Sequence, residues 1–230
     1  MPRRLIRLLP EGRHAWFDGV AEHAGLPPPG ESAITLLVPG EDVLLLDIAR
    51  PPGAERQWPQ LLPYAIEDQV IAPIESQHVA WMPASTPARL LVAVVERARL
   101  DAWLAPLRAA GLEPDRVIPD VLALPWRPGH TSLLVEPGRL AWRLGECRAL
   151  CGGAGELEAQ RDAAGAAATT RFRVGDAPLP DITGETKAFA SVWPAFDNLD
   201  ATALNLLQGD YAPRGRAGDT RRAWRWAAAF

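Results

Sequence analysis

The sequence predicts an α/β fold. Short apolar, β-branched runs alternate with segments of helical periodicity. The order strands, helix, strand, helix runs through the first part of the chain and starts again after residue 125. The chain is 230 residues long, with 48% hydrophobic and 23% charged residues. That is an ordinary globular balance, enough for one large domain or two small ones whose cores need no disulfide staples. The order suggests a duplicated α/β unit, although no repeat is visible in the residues.

Residues 4–9 and 15–20 read as two strands of a hairpin around Pro10-Glu11-Gly12. The proline-rich stretch 25–30 is a loop. Residues 33–38 and 43–48 are apolar and β-branched, flank Pro39-Gly40-Glu41-Asp42, and read as buried strands. A helix follows over 57–72. Trp58, Leu61, Leu62, Ala65, Ile66 and Val70 form its apolar stripe, and Pro59 suits its first turn. Pro63 lies deeper and predicts a kink or a late start. The opposite face carries Gln60, Tyr64, Glu67, Asp68 and Ile71. Tyr64 and Ile71 on a polar face read either as a partner patch or as two incidental apolar residues.

Residues 77–81 and 90–95 are strands. A helix over 98–110 turns Leu100, Trp103, Leu104 and Leu107 inward, with Pro106 as a kink and Gly111 as its stop. A short strand at 116–118 leads to a helical turn with Asp120 as N-cap. The second half opens with a meander, 132–135, 140–144 and 148–150, turning at Pro137-Gly138 and Gly145-Glu146. A helix over 156–168, a strand over 172–174, a loop over 178–184, a helix over 186–193 and a short turn over 201–207 complete it. Duplicated halves of this kind are compatible with an actin-like, ribonuclease-H-like fold.

The net charge of −4 argues against a general nucleic-acid surface. Cys147 and Cys151 are too few for a disulfide framework or a four-ligand zinc site and read as ordinary thiols. No metal or cofactor set is expected. Lys187 lacks a glycine loop, so no P-loop is present; G-x-S-x-G and zincin motifs are absent too. His14, His23, His78 and His130 are far apart in sequence. The glycine-rich stretch 151–156 precedes a predicted helix and reads as a phosphate cradle or a plain connection. An actin-like ATPase needs an acid, a Gly and a Ser or Thr in its first strand turn. Glu11-Gly12 echoes that without the hydroxyl, and the turn Glu136-Pro137-Gly138-Arg139 is equally poor.

At the end of the chain, Arg214, Arg216, Arg221, Arg222 and Arg225 run into Trp224, Trp226 and an alanine-rich apolar end. Arg clusters favour the inner side of a membrane, and Trp favours the headgroup level. This reads as the cytoplasmic edge of a transmembrane helix, or as a basic tail ending in a short amphipathic segment.

Leu61-Leu62-Pro63-Tyr64-Ala65-Ile66-Glu67-Asp68-Gln69, residues 94–100, Pro119-Asp120-Val121-Leu122-Ala123-Leu124-Pro125 and Asn205-Leu206-Leu207-Gln208-Gly209-Asp210-Tyr211 resemble the cytoplasmic part of type II secretion system protein L. The resemblance implies an actin-like ATPase fold with a degenerate nucleotide site. It divides the chain into a first half at 1–125, a second at 126–212 and a basic juxtamembrane segment at 213–230. It implies a non-enzymatic scaffold at the cytoplasmic face of the bacterial inner membrane, which docks the N-terminal domain of the secretion ATPase, protein E. The other implied partners are proteins M, F and C and a second copy of the chain. Tyr64, Glu67, Asp68 and Ile71 are the expected docking face. Arg221, Arg222, Trp224, Arg225 and Trp226 are the expected membrane-proximal residues.

Overall fold

A computed structural model describes residues 4–30, 32–153, 155–156, 168–196, 199 and 204–213. Three sheets organise them. The first contains β1 (Arg4–Leu8), β2 (His14–Phe17), β3 (Glu22–Ala24), β4 (Ile34–Val38) and β8 (Arg116–Pro119), in the order β3-β2-β1-β4-β8. β1 runs antiparallel to β2 and parallel to β4, and β4 runs parallel to β8. The register places Ile6, Leu36 and Val117 side by side, all fully buried. Near-continuous apolar runs such as Ile34–Val38 suit strands covered on both faces.

The second sheet contains β9 (His130–Glu136), β10 (Arg139–Arg143), β11 (Ala149–Gly152), β12 (Ala168–Val174) and β13 (Glu185–Phe189). Its order is β11-β10-β9-β12-β13, with β9 antiparallel to β10 and parallel to β12. Each sheet therefore has the spatial order third, second, first, fourth, fifth strand, with the same directions. The duplication expected from element order is present in topology, although the residues show no repeat.

Between β4 and β8 the chain inserts β5 (Leu44–Ala49), α1 (Trp58–Ile66), β6 (Gln77–Pro83), β7 (Arg89–Glu96) and α2 (Arg97–Ala109). The third sheet, β5-β7-β6, is antiparallel. α1 buries Trp58, Leu62 and Ile66, spaced four apart on one face. They pack with Ile48, Leu90, Val92 and Val94 in a separate small core. Each such side chain contributes about 1.5–3 kcal/mol before entropy is counted. α2 buries Leu100, Trp103, Leu104 and Leu107, as its periodicity predicts.

Several expectations are corrected. The first helix ends at Ile66; Glu67–Gln69 form a 3-10 turn, so Ile71 lies beyond the helix. The strand read to residue 20 ends at Phe17. Asp18 Oδ1 there accepts the Val20 and Ala21 amides at 2.8 Å, and the chain returns as β3. β5 is an edge strand with Leu44 exposed, not a buried one. In place of the helix expected over 186–193 stand the strand β13 (Glu185–Phe189), a bend and a 3-10 turn at Trp193–Phe196. β13 lies parallel to β12 in the position that completes the repeated sheet, so pairing outweighs weak helical periodicity. Gly184 permits this approach, because a Cβ there would sit 2.1 Å from the Thr169 carbonyl oxygen. Of the helix expected at 156–168, only residues 155–156 are described as helical; residues 157–167 lie outside the described residues, as do 201–203 of the expected turn.

The segment 204–211 closes the fold. The Asn205 side chain accepts the Val117 amide at 2.9 Å, and the Leu206 amide donates to the Val117 carbonyl at 2.8 Å. Two residues on, Gln208 bonds to the backbone of Trp81 on β6. His78 Nε2 donates to the Leu206 carbonyl at 2.6 Å. Arg97 pairs with Asp210 at 3.1 Å, and the Tyr211 hydroxyl donates to the Arg97 carbonyl. One short segment thus clasps an edge of the first sheet to an edge of the third.

Candidate functional site

Among the described residues, two places stand out as candidate sites. The first is the crevice at the C-terminal ends of β1, β4, β8 and β9, where open α/β sheets receive ligands. It encloses about 530 Å³, and its rim includes Leu9, Pro10, Gly12, Pro39, Asp42 and Trp103. Its floor is charged. Arg7, on β1, clamps Glu136 at the end of β9 with both terminal nitrogens; Nη1 lies 2.6 Å from Oε1. It also reaches Asp120 at 3.1 Å. Arg139, at the start of β10, donates to Glu41 at 2.7 Å, Asp120 at 2.9 Å and Glu136 at 3.2 Å. The Gly40 amide donates to Asp120 Oδ1 at 3.1 Å. The Arg7 guanidinium also lies over the Phe196 ring, 5.5 Å from its centroid.

Burial works against each of these charges, and the partners prevail. Asp120 is almost fully buried, yet Arg139 and Arg7 hold its carboxyl below the usual range. Arg7 and Arg139 are held above theirs: burial disfavours the cations, and the surrounding carboxylates more than compensate. Asp120 is thus not the N-cap expected of it. The 3-10 turn Asp120–Ala123 has no side-chain cap, because the carboxylate is turned into the crevice.

The fold class raises the question of a nucleotide and its cation here. The residues do not fit them. Glu11 and Gly12 both have positive φ, and the Glu11 side chain is highly exposed. Leu9 to His14 contain no hydroxyl side chain. The carboxylates that could hold a cation each already face a guanidinium. The glycine-rich loop is also engaged: the Gly153 amide donates to the Glu156 carboxylate at 3.0 Å. Among the described residues no group of His, Cys, Asp and Glu has the arrangement of a metal site. Both cysteines are free thiols, and burial pushes Cys147 up to about 12, so neither suits nucleophilic work.

The second place is a groove beside the edge strand β5. It encloses about 650 Å³ and is lined by Ile48, Pro51, Leu61, Tyr64, Ala65 and Arg89, among others. Tyr64 rises from its wall at 79% exposure, and Ile71, in the turn beyond α1, is fully exposed. Glu67 and Asp68 are exposed between them. The expected docking residues are therefore all at the surface of the inserted unit. Arg221, Arg222, Trp224, Arg225 and Trp226 lie outside the described residues. No described helix is long and apolar enough to cross a membrane.

The crevice cluster was not foreseen as a unit. Its signals were present: Arg7 interrupts an apolar strand, and Glu41, Asp120, Glu136 and Arg139 each stand at a strand end. What the sequence could not supply is that the two halves bring those ends together.

Comparison with known proteins settles the family. Residues 19–151 match the family model for type II secretion system (T2SS), protein L. The chain belongs to this family. Among its relatives, protein L of Klebsiella pneumoniae is 32% identical over 205 residues, covering 83% of this chain and 48% of the relative. Protein L of Vibrio cholerae is 36% identical over 108 residues, covering 47% of this chain and 26% of that protein. The chain thus spans about half the length of the Klebsiella relative. Among solved structures, the cytoplasmic domain of EpsL, an inner-membrane component of the type II secretion system of Vibrio cholerae, superposes with a TM-score of 0.73. It has 21% identity, over 92% of this chain and 100% of that one. The PilM-PilN type IV pilus biogenesis complex gives 0.54 at 13% identity, over 77% and 82%. These matches establish the α/β fold, shared with the EpsL cytoplasmic domain, and membership in the protein L family.

Proposed function

We propose that this chain is the cytoplasmic scaffold part of a protein L and that it recruits the secretion ATPase, protein E, through that enzyme's N-terminal domain. It does no chemistry of its own. The observation that carries this reading is the crevice. The charged residues that catalysis at a nucleotide would require are spent on one another, while an apolar and acidic surface at Tyr64, Glu67, Asp68 and Ile71 faces outward. An adaptor needs the second feature and not the first.

The physical advantage is tethering. A domain held at the membrane raises the local concentration of its partner there without any further contact. The Arg and Trp residues 221–226 supply the membrane side of this reading, at the cytoplasmic face. Proteins M, F and C and a second copy of the chain are the other partners that family membership suggests.

Calorimetric titration of this chain with the isolated N-terminal domain of the cognate ATPase tests the reading. Saturable binding, one per protomer, supports it. A folded sample that shows no binding sinks direct recruitment by this part. A rise in melting temperature with Mg-ATP instead favours a nucleotide-binding protein, since a ligand selective for the native state must stabilise it.

A further inference from the structure

The ionic cluster in the crevice is shared between the two halves of the duplicated fold. Arg7, Glu41 and Asp120 belong to the first sheet and its turns, and Glu136 and Arg139 to the second. Three pairs cross the boundary: Arg7 with Glu136, Arg139 with Glu41 and Arg139 with Asp120. The remaining two, Arg7–Asp120 and Arg139–Glu136, link those crossings into one network. On its flank Trp193 stacks against Phe17 with ring centroids 5.5 Å apart, and its indole N–H donates to Glu22 at 2.8 Å.

We propose that this network is an interlobe latch. It holds the two sheets in one closed arrangement, with the guanidinium groups of Arg7 and Arg139 standing where a cation would otherwise join carboxylates across the crevice. The setting of the two halves is then independent of nucleotide. The argument is electrostatic. Asp120 and Arg7 are buried and keep each other when the halves part, but opening the crevice strips Glu136 from Arg7 and Arg139 from Asp120, and breaking such buried pairs is strongly unfavourable. A bidentate guanidinium–carboxylate pair also fixes angle as well as distance, so the Arg7–Glu136 clamp specifies orientation. An incoming phosphate meets carboxylates, and an incoming cation meets guanidiniums; neither finds a free counter-charge among these five residues. This inference stands apart from ATPase recruitment and survives if that reading fails.

The test places spin labels on exposed cysteines at Glu11→Cys in the first half and Lys187→Cys in the second. Cys147 and Cys151, with raised thiol pKa values, react poorly. The parent is expected to give one narrow distance, unchanged by Mg-ATP. Glu136→Gln with Arg139→Gln is expected to broaden the distribution and shift it to longer distances, with far-UV dichroism retained. An unchanged narrow distance in that variant overturns the latch, and so does a Mg-ATP-driven shift in the parent. If the double variant does not fold, Glu41→Gln is read by amide hydrogen exchange at 40–42 and at 136, 138 and 139. Faster exchange supports the latch and unchanged exchange overturns it.

Discussion

Gln208 is joined to the backbone of Trp81 through both ends of its side-chain amide. The Trp81 N–H donates to Gln208 Oε1 at 3.2 Å, and Gln208 Nε2 donates to the Trp81 carbonyl at 2.9 Å. One side chain thereby imitates a strand residue along the outer edge of β6. Gln208→Ala removes both bonds. The expected cost is on the order of 1–3 kcal/mol, seen as a fall in Tm of roughly 3–10 °C. Gln208→Glu keeps the acceptor and loses the donor, and should fall no less, because it adds a charge at the same place. A thermal melt unchanged in Gln208→Ala would show that the clasp contributes nothing to stability.

Gly40 lies where the two sheets approach. A Cβ there would stand 2.9 Å from both Cys151 Sγ and Val121 Cγ1. Its amide also holds Asp120. Gly40→Ala should therefore destabilise by about 1–3 kcal/mol through overpacking. Adding Val121→Ala makes room at one of the two contacts. Chemical denaturation of the single and double variants reads the difference; recovery of part of the loss in the double variant is expected.

His78 gives stability a pH dependence. Burial and the charge of Arg97 hold its pKa below the ordinary value, against the Leu206 carbonyl and Asp210, which favour the cation. The unfolded chain takes up a proton near pH 6.5, whereas the folded chain does so only at lower pH. The unfolded state then binds more protons, so stability falls as pH drops below about 6.5 and levels off beneath the folded pKa. His14, also lowered by burial, acts in the same direction. Tm should be lower at about pH 5.5 than at about pH 7.5. His78→Phe should melt lower at the upper pH and show a shallower slope. An unaltered slope would assign the dependence to other groups.

At the groove, Tyr64→Ala with Glu67→Arg removes the exposed ring and reverses a neighbouring charge. Both residues are exposed, so the fold should be unaffected. Affinity for the ATPase N-terminal domain should drop at least about tenfold if the ring is an interface anchor. Equal affinity for the parent and the variant removes this patch as the docking face.

The fold was legible wherever local pattern and tertiary demand agree. α2 carried its apolar stripe, its interior proline and its terminal Gly111 in the residues themselves, and the structure places Leu100, Trp103, Leu104 and Leu107 inward. The meander at β9, β10 and β11 was equally clear from its turns. β13 was not, because a short exposed edge strand gains its identity from its neighbour β12 rather than from its own periodicity. Asp120 shows the same limit for the site. Pro-Asp before an apolar run has the look of a cap, and only the approach of Arg7 and Arg139 from distant strands turns it into a buried counter-ion. Exposure of Tyr64 could be read from helical phase; that of Ile71 came instead from a helix that stops five residues before it.

The clasp has a consequence for the order of synthesis. His78 finds its acceptor 128 residues further along the chain, and Trp81 finds its partner 127 residues on. A ribosome that has delivered β6 and β8 must still make the whole second half before Asn205 and Gln208 emerge. During that interval two sheet edges are open on the nascent chain, and open edges invite pairing with the wrong strand. Completion of the first half is thus postponed to nearly the last residues described, and the interval in which a chaperone is useful is set by where the amides of Asn205 and Gln208 fall in the message.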